Sequence, residues 1–155
     1  MWKLAEDGYE IRARLAKNPK IPEDLMRKLA ENEEEVRVLR SLAQNPNAPV
    51  DLIKKLSQVT TDRGIRFFLA QNSNLPENLM EKLVEYSECQ SELAQHPKLS
   101  ENLMRKLMGY APSIREELAE NRRLPEELMR KLAEDGYEIR SRLAKNPKIP
   151  EDLMQ

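Results

Sequence analysis

Side chains that could do chemistry are few in this chain. It contains one histidine, His96, and one cysteine, Cys89. A nucleophilic centre needs its thiol or hydroxyl next to a positioned base, and here the only imidazole lies seven residues beyond the only thiol. A single cysteine builds no disulfide framework and holds no metal cluster. Carboxylates are plentiful, but they recur at regular intervals on helix starts and outer faces. That is a pattern of solvation rather than of a paired acid and base. The four glycines, Gly8, Gly64, Gly109 and Gly136, are scattered singly, so no phosphate-cradling loop is present. The expectation is a protein that is not an enzyme, with no catalytic, metal-binding or cofactor-binding residues.

Arginine is the one charged type whose placement invites a binding role. Arg12, Arg66, Arg115 and Arg140 occupy equivalent places in a recurring pattern. Such a column could receive phosphate or carboxylate groups, but a ladder of ion pairs between neighbouring repeats is the simpler expectation. The two positions after it vary freely: Ala13-Arg14, Arg40-Ser41, Phe67-Phe68, Ser91-Glu92, Glu116-Glu117 and Ser141-Arg142. Variable positions in repeat proteins tend to face solvent and to meet partners. Candidate partner-binding residues are therefore Phe67, Phe68, Arg14, Arg40, Arg66 and Arg142.

These residues are placed by an internal repeat. The segments LAKNPKIP at Leu15, LAQNPNAP at Leu42, LAQNSNLP at Leu69, LAQHPKLS at Leu93, LAENRRLP at Leu118 and LAKNPKIP at Leu143 follow one another at 24 to 27 residues. Each precedes a stretch such as PEDLMRKLAE or PENLMEKLVE. Six matches in register define about six copies of a two-helix unit, read as one domain over residues 1–155 with partial helices at both ends. The second helix is expected to begin at Pro22, Pro49, Pro76, Pro125 and Pro150, because proline suits a first helical position. Ser100 replaces that proline in the fourth copy and is expected to cap the helix. The first helix should bury Ile11, Leu15 and Ala16 and stop at Asn18-Pro19, where asparagine tolerates a left-handed backbone. His96 falls in the asparagine column with Asn18, Asn45, Asn72, Asn121 and Asn146, so it reads as a turn residue. Cys89 aligns with Ile11, Ile65, Ile114 and Ile139 and reads as a small core residue. Helices this short are not stable alone and must stack on their neighbours. The fold class is therefore all-α, a tandem-repeat solenoid.

The repeat resembles the leucine-rich repeat variant family, carried by Ile11, Arg12, Leu15, Ala16, Asn18, Pro19, Pro22, Leu29 and Ala30 and by Ile65-Arg66, Ile114-Arg115 and Ile139-Arg140. The resemblance covers essentially the whole chain. It implies alternating α- and 3₁₀-type helices in a right-handed superhelix. Leu39 and Gln90 depart from it at the usual arginine, Cys89 departs at the usual Val/Ile, and extra residues lie near Thr60, Thr61 and Asp62. Such repeats occur in one family context with a cysteine-ligated iron–sulfur module, which the lone Cys89 does not support.

Net charge is −1, with 26 basic against 27 acidic residues. That balance disfavours nucleic acid and anionic membranes as partners. No signal-like or membrane-spanning apolar run is present, so the expected compartment is the cytoplasm. Residues 4–26 and 132–154 differ only at Ala13 against Ser141, while the inner copies diverge. Recent duplication or deliberate design would leave that signature, and design is favoured. The outer copies also suggest an end-to-end interface of Trp2, Leu4 and Ala5 with Leu153 and Met154. The functional expectation is a non-catalytic scaffold for a protein or peptide. Head-to-tail self-assembly and nucleic-acid binding stand as alternatives.

Overall fold

A computed structural model describes residues 8–32, 34–59 and 61–154. Among these residues the chain is entirely helical. The helices are α1 (Tyr9–Lys17), α2 (Glu23–Leu29), α3 (Val36–Gln44), α4 (Val50–Val59), α5 (Arg63–Gln71), α6 (Glu77–Leu83), α7 (Ser87–Ala94), α8 (Glu101–Leu107), α9 (Pro112–Ala119), α10 (Glu126–Ala133) and α11 (Tyr137–Leu143). A 3₁₀ turn, Glu151–Leu153, follows. Two compact units are formed, residues 1–79 and 80–155, with the boundary inside α6. In the first, α1 packs on α3 and α3 on α5, while α2 and α4 fill the spaces beside them. In the second, α7 packs on α9 and α9 on α11, with α8 and α10 alongside. No described helix is long and apolar enough to cross a membrane.

The core is aliphatic. Each second helix buries a Leu-Met or Leu-Ile pair and a leucine one turn on, as in Leu25, Met26 and Leu29, or Leu52, Ile53 and Leu56. That is the inward stripe of an amphipathic helix. The first helices bury Ile65, Cys89, Ile114 and Ile139 at equivalent places. Ile11 departs from this expectation at 41% exposure, and Leu15 is only half-buried.

Four local expectations are corrected. The repeat prolines stand at the N-cap, one residue before the helix: Pro22, Pro125 and Pro150 have extended backbones, with φ near −62°, −66° and −62°. The Pro22 carbonyl accepts from the backbone N–H groups of Leu25 and Met26, at 3.0 and 3.1 Å. Proline fits because its ring fixes φ and no donor is needed there. Ser100 occupies the same N-cap, yet its side chain makes no capping bond and its buried hydroxyl oxygen has no partner. Asn18, with φ −67° and ψ 119°, is extended rather than left-handed, and no non-glycine described residue has positive φ. The second helices from α2 to α10 are α-helical, and 3₁₀ geometry at this place occurs only in the last described copy.

Asparagine serves instead through its side chain. The Asn45 amide donates to Ala16 O and Asn18 O in the preceding repeat, at 2.7 and 3.0 Å, while its Oδ1 accepts from Asn47 N at 2.9 Å. Asn72 reaches Ala43 O and Asn45 O in the same way, both at 2.9 Å. In the second unit Asn121 donates to Ala94 O at 2.7 Å, and Asn146 to Ala119 O and Asn121 O at 2.9 and 3.0 Å. All four asparagines are buried. The side chain thus closes its own turn and clasps the C-terminal end of the previous first helix, whose last carbonyls lack helical partners. His96 reproduces the first half of this role, its Nδ1 accepting from Lys98 N at 3.2 Å in a buried site.

Candidate functional site

Positions i, i+3, i+4 and i+7 of a helix share one face. On α1 these are Glu10, Ala13, Arg14 and Lys17; on α3 they are Arg37, Arg40, Ser41 and Gln44. Because α1 and α3 pack in register, the two faces stand side by side and, with Phe68 of α5, line a cavity of about 290 Å³ in the first unit. Its lining carries four cations against the single carboxylate Glu10.

The cations differ in how firmly they are held. Arg40 is anchored: its Nε and Nη2 donate to the two Asp62 carboxylate oxygens at 2.9 and 2.8 Å. This pairing holds the Asp62 carboxyl below, and the Arg40 guanidinium above, its ordinary pKa. Asp62 also caps α5, accepting from Ile65 N at 2.9 Å. Gly64 makes the arrangement possible, since a Cβ there would lie 2.7 Å from Arg40 Nε. Arg14 and Arg37 are 80% and 70% exposed and share Glu10, at 3.3 and 3.9 Å. Exposed pairs of this kind are weak. Arg37 also lies 5.6 Å from the centre of the Tyr9 ring. Lys17 has no carboxylate partner among the described residues. Phe68 stands edge-to-face with Phe67, ring centres 5.5 Å apart and planes at 72°, both half-buried.

Of the six residues expected to meet a partner, the structure brings Arg14, Arg40 and Phe68 together, with Phe67 touching Phe68. Arg66 and Arg142 lie elsewhere. Arg66 donates to Thr61 O at 2.8 Å. Arg142, in the second unit, reaches Glu116, Glu117 and Glu120 at 3.3, 3.1 and 3.5 Å. Ser41, expected to face solvent, is buried, its hydroxyl donating to Arg37 O at 2.9 Å. Lys17 and Arg37 were not anticipated, although the same-face spacing of α1 and α3 carries the signal. Of the expected end-to-end residues, Leu153 is half-buried and Met154 is exposed, while Trp2, Leu4 and Ala5 lie outside the described residues.

The arginine column forms inter-repeat ion pairs at Arg12 and at Arg115. Arg12 binds Glu35 through Nε at 2.9 Å and through Nη2, and Arg115 binds Asp135 at 2.9 Å. Where Leu39 replaces the arginine, the next residue, Arg40, reaches the following repeat instead. Comparison with known families, curated proteins and solved structures returns no match.

Proposed function

We propose that this chain is a non-catalytic repeat scaffold whose first-helix face in residues 8–71 receives a protein or peptide segment. The repeat registry and the resemblance to the leucine-rich repeat variant family support a right-handed solenoid as its frame, and the balanced charge favours a protein partner. One observation carries the binding reading. The cavity between α1, α3 and Phe68 combines exposed, weakly held cations with apolar surface from Ala13 and Phe68. Cations that stabilise the fold are paired firmly elsewhere, as Arg12 and Arg115 are. Arg14, Lys17 and Arg37 are not spent that way. Panning a displayed random-peptide library against the folded protein tests this. Enriched peptides should lose binding to an Arg14→Glu, Arg37→Glu variant of unchanged helicity. Peptides that bind this variant as well as the parent would place recognition elsewhere.

A further inference from the structure

We propose that the groove between α1 and α3 selects an extended acidic segment, with carboxylates about three residues apart followed by an apolar side chain at the Phe68 end. This deepens the scaffold reading and rests on it. Neighbouring packed helices stand roughly 8–10 Å apart. An extended chain crossing them advances about 3.3 Å per residue, so it meets a new helix about every third residue. Crossing α1, then α3, then α5, such a segment meets Arg14 and Lys17 first and Arg37 and Arg40 next, and it ends against Phe68. Arginine is suited to bidentate carboxylate recognition. Arg40 is already oriented by Asp62, whereas Arg14 has Glu10 to leave and Arg37 has Glu10 and the Tyr9 ring.

Charge complementarity decides the occupant. Four cations line a space of about 290 Å³, which an anionic segment complements, yet a cleft of that size with the carboxylate Glu10 in its lining is a poor track for a polyphosphate backbone. Nucleic-acid affinity grows with many neutralised phosphates. In the second unit Arg142 and Lys145 repeat Arg14 and Lys17, but there Arg142 is answered in cis by Glu116, Glu117 and Glu120.

The test is a fluorescence-anisotropy titration of the full chain at low salt. The probe is a labelled peptide bearing two glutamates and one leucine at three-residue intervals in a serine–glycine background. Its lysine-for-glutamate counterpart and a labelled oligothymidylate are run beside it. The acidic peptide should bind, the lysine peptide should not, and Arg14→Glu with Arg37→Glu should weaken binding by about tenfold or more. Glu10→Gln removes the competing carboxylate and should strengthen binding by about twofold to fivefold. This gain keeps the test open if the double variant fails to fold. Equal binding of the lysine peptide, tighter binding of the oligothymidylate, or indifference to Glu10→Gln overturns the proposal. Library peptides that depend on the groove but carry no acidic residues would overturn it too, while leaving the scaffold reading standing.

Discussion

At the scale of single residues, a repeated asparagine does what a repeated backbone conformation was expected to do. The column of Asn18, Asn45, Asn72, Asn121 and Asn146 was plain from spacing. Its mechanism was not, because asparagine can serve a turn either through a left-handed backbone or through its amide. Only the carbonyls 27 and 29 residues back, brought close by packing, decide between them. Asn45→Ala leaves Ala16 O, Asn18 O and Asn47 N without this partner. It should therefore destabilise the protein by about 1–3 kcal/mol, the usual cost of stranding buried polar groups. Chemical denaturation checks this, and a cost near zero would mean that water replaces the clasp. His96→Asn should be neutral or stabilising by the same measurement, since Oδ1 can accept from Lys98 N as Nδ1 does. Gly64→Ala belongs to this scale as well. Its methyl would press on Arg40 Nε, so Arg40 must leave Asp62, and the variant should lose stability by about 1 kcal/mol or less because the pair is partly exposed. Leu29→Ala, in a fully packed stripe, should cost about 2–5 kcal/mol.

At the scale of elements, the second helices are tied to one another by ions as well as by their apolar stripe. Acidic residues at the helix starts complement the helix dipole. They also answer arginines of the preceding copy: Arg27 meets Asp51 at 2.9 Å, Arg105 meets Glu127 at 2.8 Å, and Arg130 meets Asp152 at 2.5 Å. This rung was illegible in the sequence because its partners lie 22 to 24 residues apart and become neighbours only when the helices stack. Hydrogen bonds from Arg105, and then from Lys131, hold the Glu127 carboxyl at about 2, below its ordinary value near 4.5. Arg27 and Arg130 likewise hold Asp51 and Asp152 down. A carboxyl depressed in the folded state stabilises above its unfolded pKa and loses that contribution as pH falls through the folded one. Melting temperature should therefore be level above about pH 5 and fall between about pH 5 and 2. The drop should be modest because these pairs are exposed, and smaller in high salt. Arg105→Gln should flatten part of that acid limb. A variant whose acid limb superimposes on the parent's would show that the rung contributes nothing.

At the scale of the whole molecule, the same repeat supports two different surfaces. The first-helix face of residues 8–71 gathers Arg14, Lys17, Arg37 and Arg40; in residues 80–155 Arg142 and Lys145 repeat the first two, but Glu116, Glu117 and Glu120 stand beside Arg142. Net charge near zero hides this separation, and only the repeat alignment exposes it. The interior, in contrast, is uniform: leucine stripes and asparagine clasps recur in both units. If the units wind as the proposed solenoid, stability is a sum of local terms between neighbouring copies. Asn45 and Asn72 share one chain of hydrogen bonds, since Asn72 donates to Asn45 O. Asn45 and Asn146 share no partner. The alanine variants of Asn45 and Asn146 should therefore add to within about 0.3–0.5 kcal/mol, while those of Asn45 and Asn72 should depart from additivity by about 0.5 kcal/mol or more. Denaturation of the singles and both doubles measures this. Strong coupling between Asn45 and Asn146 would point to a single closed core in place of a linear array, and independence of Asn45 from Asn72 would mean that the clasps act as separate turns.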